Sequence, residues 1–277
     1  MSKYKLVCID MDGTLLDDDH RVSDENKLAL KEANDKGVKI AITTGRIFCS
    51  AKFYSDMIGV DAPIIASNGA YVREKSSNEP IFANPLSSDI LHEVYDIIKH
   101  YGLHTNFNTF DTVLRETEVP FNHAYAKMNR VLPDDQKIKF VIEKDLTNAI
   151  NRFDGQILKA ITIEENYVDK LFKAKEELKN KFKNDLHIVS SSPYNFELML
   201  GTSSKGNAVS KLAESFNLSP ENVICIGDSE NDLSMIKYAG LGVAMGNGLD
   251  MVKKEANYIT DTNLNSGVAK VIRKFVL

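Results

Sequence analysis

Two carboxylates stand two residues apart in Asp10-Met11-Asp12-Gly13-Thr14, directly after the apolar run at residues 4–9. On an extended chain, side chains at i and i+2 point the same way. Such a pair repels itself unless a cation or a proton intervenes. Mg²⁺ suits it, being a hard ion that takes one or two carboxylates and keeps waters and substrate oxygens in its other positions. Gly13 lets the chain turn sharply enough for backbone amides to approach a phosphate. Alone, however, an Asp-x-Asp is more often a turn or a cap than a catalytic pair.

Three further polar clusters stand at strand ends or helix starts. Thr44-Gly45-Arg46 follows the run at 38–42 and offers a hydroxyl and free amides at a helix start, a ready phosphate contact. Ser204-Lys205-Gly206 opens a helical stretch, where Lys205 would supply a point charge to phosphoryl oxygens. Gly227-Asp228-Ser229-Glu230-Asn231-Asp232 follows the run at 223–226. Asp228 and Asp232 are one helical turn apart, so both can face one ion. Each cluster has a plain structural reading as a cap or a turn. Their joint occurrence points to phosphate and a divalent metal.

The elements that must position these groups alternate between strand and helix. In the first third, strands at 4–9, 38–42 and 63–66 enclose a helix capped by Ser23, carrying Leu28, Leu30 and Ala33 and closed by Gly37, and a second helix reaching about Gly59. Asn68-Gly69 then marks a tight turn. The last third repeats the rhythm, with strands at 196–200, 223–226 and 241–244 and helices between them. Continuous apolar strands alternating with helices predict a parallel sheet covered on both faces. Ligands of such sheets sit beyond the carboxyl ends of the strands.

The middle third differs. A helix carrying Leu91, Val94, Tyr95 and Ile98, several short strands and a helix ending near Phe182 predict an α+β insert. The expected organisation is a first core segment over 1–84, a cap over 85–189 that selects the substrate, and a second core segment over 190–277. The lysines of residues 168–183 fall off the apolar stripe Leu171, Ala174, Leu178 and Phe182, as on a solvated helix face. Polar groups of the insert that could read a substrate are Asn106, Asn108, Asp111, Arg115 and Asn122. His100 and His104 have i,i+4 spacing, but Gly102 interrupts them near a helix end, against a metal site.

At 277 residues the chain is long for one domain and comfortable for two. A composition 43% hydrophobic and 26% charged is that of a soluble globular protein. A net charge of -5 gives no electrostatic case for a nucleic-acid or anionic-membrane partner. Cys8 and Cys225 lie in apolar runs and read as buried hydrophobes, while the odd cysteine count suits a reducing compartment. The early first strand leaves no room for a signal peptide, and no run approaches a membrane span. The expected location is cytoplasmic. Oligomeric state has no signal.

Asp10-Met11-Asp12-Gly13-Thr14, Thr44-Gly45-Arg46, Ser204-Lys205-Gly206 and Gly227-Asp228-Ser229-Glu230-Asn231-Asp232 resemble the four signature motifs of the haloacid dehalogenase-like hydrolases. The match is nearest to the Cof-type sugar-phosphatase branch, with its large cap between the second and third motifs; Asn68-Gly69-Ala70 and Met245-Gly246-Asn247 also look like that branch. The resemblance implies a Rossmann-like, three-layer α/β core of strand order 5-4-1-2-3 with an inserted α+β cap. It implies Asp10 as nucleophile and Asp12 as general acid/base. Mg²⁺ would be held by the Asp10 carboxylate, the Asp12 backbone carbonyl and Asp228, with Asp232 nearby. Phosphate would contact Met11 N–H, Thr44, Gly45, Lys205 and Asn231. Two departures lie outside these positions: Asn265-Ser266-Gly267 where many relatives have Glu-Asp-Gly, and Gly248 for a common Ala.

The implied reaction is hydrolysis of a small phosphorylated metabolite through an aspartyl-phosphate on Asp10. Asp12 would protonate the leaving alkoxide and then deprotonate the attacking water. The alternative within enzymes is a phosphomutase or phosphotransferase that passes the same phosphoryl group to a sugar. A phosphoaspartate switch needs neither a leaving-group acid nor a substrate lid, and a binding module without turnover needs none of the catalytic side chains.

Overall fold

The computed structural model describes residues 2–277. In chain order the first segment forms β1 (Leu6–Asp10), α1 (Asp24–Asp35), β2 (Lys39–Thr43), α2 (Phe48–Asp56), β3 (Ile64–Ala66), β4 (Tyr71–Arg73) and β5 (Phe82–Ala83). The middle segment forms α3 (Ser88–His100), β6 (Thr105–Asn108), β7 (Thr112–Arg115), α4 (Ala124–Met128), β8 (Lys139–Ile142), α5 (Thr147–Arg152), β9 (Lys159–Ile163), α6 (Val168–Phe182), β10 (Leu186–Val189) and β11 (Asn195–Leu200). The last forms α7 (Lys205–Ser215), β12 (Val223–Gly227), α8 (Leu233–Tyr238), β13 (Leu241–Ala244), α9 (Asp250–Glu255), β14 (Tyr258–Ile259) and α10 (Gly267–Phe275).

β1 is buried along its whole length, as a strand covered on both faces must be. It pairs in parallel with β12 on one side and β2 on the other, so that Cys8 lies opposite Cys225 and Ala41. The full order is β14-β13-β12-β1-β2-β3-β4-β5. Its inner five strands, β13-β12-β1-β2-β3, reproduce the order 5-4-1-2-3, with β14 added at one edge and β4 and β5 at the other. β4 returns antiparallel to β3 through the Ser67-Asn68-Gly69 turn. On one face Leu6, Cys8, Ala41 and Ile65 pack with Ala208, Val209 and Leu212 of α7 and Met235 of α8. The intervening Val7, Ile9, Ile40 and Ile42, also buried, point to the opposite face. There α1 packs near β2 and against α10.

Ser23 caps α1 as expected, accepting from Asn26 N–H at 3.2 Å. Leu28, though, is 50% exposed, and the helix buries Asn26, Ala29, Leu30 and Ala33 instead. At about 100° per residue, Leu28 and Leu30 point to opposite sides and cannot share a face.

The chain divides into two compact units. One comprises residues 1–45, 51–82 and 204–277, and the other residues 46–50 and 83–203. The second has its own sheet, of order β10-β11-β9-β6-β7-β8. Phe107, Leu114, Ala160, Phe196 and Leu198 line one face and pack against α3, α5 and α6. The lysines of α6 lie outside its buried stripe of Leu171, Ala174, Leu178 and Phe182.

One boundary departs from the expectation of a second core segment starting at 190. β11 pairs with β9 and β10 in the second sheet, and the chain rejoins the first unit only at Ser204. An apolar run such as 196–200 declares a strand, but nothing local says which sheet it will join. His104, in turn, bonds to Glu116 at 2.5 Å through Nδ1, so its partner is a carboxylate of the next strand's end rather than His100.

Candidate active site

Asp10 is the last residue of the central strand β1 and is 6% exposed. Lys205, the first residue of α7, is fully buried, and its Nζ lies 2.5 Å from Asp10 Oδ1 and 2.5 Å from Asp232 Oδ1. The helix starts there because Ser204 caps it, accepting from Asn207 N–H at 3.1 Å. Asp232 turns its other oxygen back to the chain: Oδ2 accepts from the N–H groups of Asp228 (2.9 Å) and Ser229 (3.0 Å). Asp228 accepts from the Thr14 hydroxyl and from the Ser229 hydroxyl, each at 2.8 Å.

Asp10, Asp228 and Asp232 therefore converge, with one oxygen of each within 4.8 Å of the others. Burial, then the Asp232 charge, pushes the Asp10 carboxyl well above the usual carboxylate range, and Lys205 pulls it partly back. Asp228 is raised for the same two reasons, against the hydrogen bonds from Thr14 and Ser229. Burial acts to lower Lys205, but Asp10 and Asp232 more than offset it and hold the ammonium well above its ordinary value. Three carboxylates face one ammonium. Oxygen donors carrying this surplus of negative charge fit a hard divalent cation.

The carboxylates that crowd Asp10 come from far along the sequence, and Asp12 is not among them. The i,i+2 rule holds only while the chain stays extended. β1 ends at Asp10, and the chain turns so tightly that the N–H groups of Leu15 and Leu16 reach the Met11 carbonyl at 3.0 and 2.9 Å. The Asp12 side chain is left 46% exposed, 3.9 Å from His20 Nδ1. Gly13 at the apex has φ +79°, and a Cβ there would stand 2.8 Å from Asp228 Oδ2. Its carbonyl accepts from Asn247 Nδ2 at 2.8 Å.

Asp228 and Asp232 converge by a different route from the one their spacing suggests. Asp228 precedes a short 3-10 turn over Glu230–Asp232 and Asp232 ends it, its carboxylate capping the loop. No common helix face is involved. Likewise, Thr44 and Gly45 lie in a bend between β2 and α2, and α2 begins only at Phe48. Thr44 is buried; its N–H donates to Ile65 O at 2.8 Å and its carbonyl accepts from Asn68 N–H at 3.0 Å. Asn231 is 8% exposed and donates through Nδ2 to Asn68 Oδ1 at 3.0 Å.

The sequence marks Asn68 as half of a turn signal and as part of the Asn68-Gly69-Ala70 segment that resembles the Cof-type branch, with no role attached. In the fold it touches both the Thr44 and the Asn231 segments. Gly69 beside it has φ +94°, and a Cβ there would meet the Ser204 carbonyl at 2.3 Å, against the start of α7.

Buried carboxylates at this density around a single ammonium are suited to phosphoryl-transfer chemistry at the end of a parallel sheet. The chain belongs to the haloacid dehalogenase-like hydrolases, which it matches over residues 7–272. It is 36% identical to the 5-amino-6-(5-phospho-D-ribitylamino)uracil phosphatase YcsE of Bacillus subtilis, with 99% of this chain and 96% of that protein aligned. It is 26% identical to the pyridoxal phosphate phosphatase YbhA of Escherichia coli, over 97% of each chain. Among solved structures, a haloacid dehalogenase-like hydrolase from Bacteroides thetaiotaomicron superposes with a TM-score of 0.81 at 28% identity, covering 98% of this chain and 99% of that one. The chain is a phosphatase of this family. Among the described residues, no helix is long and apolar enough to cross a membrane.

Proposed function

We propose that the protein hydrolyses small phosphorylated metabolites in a Mg²⁺-dependent reaction that passes through an aspartyl-phosphate on Asp10. The observation that carries this reading is the position of Asp10 at the end of the central strand, 2.5 Å from the Lys205 ammonium. A magnesium ion held by the Asp10 carboxylate, the Asp12 carbonyl and Asp228, with Asp232 behind, would neutralise the carboxylates and the incoming phosphate.

In the first step an Asp10 oxygen forms a bond to phosphorus as the ester P–O bond breaks. Asp12, carrying a proton at the start, gives it to the departing alkoxide. In the second step water attacks the phosphorus and loses its proton to Asp12, which restores Asp10 and releases inorganic phosphate. Lys205, the Met11 N–H and the Thr44, Gly45 and Asn231 groups orient the phosphoryl oxygens and stabilise their charge. The half-exposed Asp12 carboxyl suits proton exchange with solvent, and buried Asp10 suits attack at a site sheltered from water.

We assign substrate selection to the second unit. The face of its sheet away from α3, α5 and α6 carries Asn106, Asn108, Lys159 and Glu197. A cavity of about 220 Å³ lies against it, lined among others by Arg46, Asn106, Asn108, His123 and Lys159. Asn108 Oδ1 is buried there without a hydrogen-bond partner, and Lys159 pairs with Glu197 at 2.7 Å. Val113, Ala124, Tyr125, Ile161 and Ile163 complete the lining, so the cavity suits an organic group that carries apolar surface together with a few polar atoms. The name of the Bacillus relative makes 5-amino-6-(5-phospho-D-ribitylamino)uracil the first ester to try, followed by pyridoxal phosphate and sugar phosphates.

The test is phosphate release across such a panel, with Mg²⁺ and with a chelator. Mg²⁺-dependent release from at least one metabolite is expected. Phosphoryl transfer to an added sugar without phosphate release would instead establish the phosphomutase reading.

A further inference from the structure

The turn at Ser67–Gly69 has three successive residues in the left-handed region, with φ +48°, +53° and +94°. Left-handed serine and asparagine each cost free energy that the surrounding fold must offset, and such strain gathers at functional sites. The turn is also fully enclosed: Ser67, Asn68 and Gly69 are all buried. Its contacts are with segments that carry proposed phosphate ligands. The Asn68 N–H holds the Thr44 carbonyl at 3.0 Å, the Asn68 side chain holds Asn231 at 3.0 Å, and Gly69 packs against the Ser204 carbonyl, one residue before Lys205.

We propose that Asn68 is a positioning residue that fixes which end of the Asn231 amide faces the phosphate. An asparagine amide has an oxygen that accepts and a nitrogen with two N–H donors, and the two ends have nearly the same shape. An anion needs the donor end. With Asn68 Oδ1 accepting one N–H of Asn231, the nitrogen side is anchored and the second N–H remains available for a phosphoryl oxygen. Without that acceptor the Asn231 amide can turn over and present its oxygen, which repels phosphate. The left-handed backbone at Asn68 brings its side chain to Asn231 while its own N–H stays on Thr44, and Asn tolerates this conformation better than most residues.

This inference rests on the assignment of Asn231 as a phosphate ligand, and the experiment separates the two. Asn68→Gly keeps the left-handed backbone and the N–H to Thr44 and removes only the side chain, so folding is preserved. Binding of inorganic phosphate with Mg²⁺, followed by calorimetry, and KM and kcat for the best ester are measured for the wild type, Asn68→Gly, Asn231→Ala and the double variant. The expected result is about a tenfold weaker phosphate affinity and a similar rise in KM for Asn68→Gly, with most of the loss in KM, as for lost ground-state binding. In the Asn231→Ala background the Asn68 change should add almost nothing.

Additive losses would overturn the inference, because Asn68 would then act independently of Asn231. Unchanged phosphate affinity in Asn68→Gly would overturn it as well. Unchanged affinity in Asn231→Ala would remove both the inference and the assignment of Asn231. Absence of Mg²⁺-dependent phosphate release by the wild type would count against the catalytic reading alone, since calorimetry follows binding without turnover.

Discussion

Lys205 Nζ donates to Asp10 Oδ1 at 2.5 Å although 195 positions separate the two residues in sequence. The ammonium is fully buried and meets Asp232 at the same distance, so one cation serves two carboxylates. Removing it leaves the carboxylates buried without their counter-charge. Lys205→Met should therefore destabilise the protein by about 3–5 kcal/mol, the usual cost of breaking a buried ion pair from one side. Urea unfolding at neutral pH measures this, and Asp232→Asn in the Lys205→Met background should restore part of the loss. An unaltered midpoint for Lys205→Met would show that the ammonium has no structural role.

The raised carboxyls of Asp10 and Asp228 make stability depend on pH. Both keep their protons in the folded state at pH values where the unfolded chain has lost them, so the folded form binds more protons and stability falls as pH rises. The fall begins near the unfolded carboxylate value of about 3.9 and continues upward through the raised folded values. In chelator, thermal unfolding should thus show a lower Tm at pH 7.5 than at pH 5.5. Added Mg²⁺ should raise Tm more at pH 7.5, where it does not compete with protons. A Mg²⁺ effect larger at pH 5.5 would contradict the acidic cluster as its binding site.

Asp10 and Asp12 should separate cleanly by mutation. Asp12→Asn removes a half-exposed carboxyl and should lower kcat by about 10²–10⁴-fold, as expected for loss of a general acid. Its Tm should stay within a degree or two of the wild type. Asp10→Asn should abolish turnover while leaving Tm in chelator unchanged or higher, since it removes one of the like charges that crowd the cluster. Full Mg²⁺-dependent activity in Asp10→Asn would rule out the covalent mechanism.

Gly69→Ala should be far more damaging than an exposed Gly→Ala change. Its φ of +94° disfavours any side chain, and the new Cβ would sit 2.3 Å from the Ser204 carbonyl at the start of α7. A loss of about 3 kcal/mol or more follows from strain and overpacking together. Because α7 carries Lys205, the variant should also bind inorganic phosphate more weakly than Gly37→Ala, whose site has open space around it. Equal stability and phosphate affinity in the two variants would refute the close approach.

By itself the sequence determined the chemistry-bearing residue types, the alternation of strands and helices, and the placement of each polar cluster near a strand end or helix start. These are local properties: apolar periodicity, N-caps such as Ser23 and Ser204, and turn residues such as Gly13 are written within a few positions of where they act. Tertiary structure alone decided which groups meet. Asp232 reached Asp10 by capping its own loop, Asp12 swung away from the cluster once β1 ended, and β11 joined the second sheet. Asn68 became the anchor of Asn231, 163 positions away. Such pairings follow from strand register and packing across the sheet. A residue's own neighbours in sequence do not encode them.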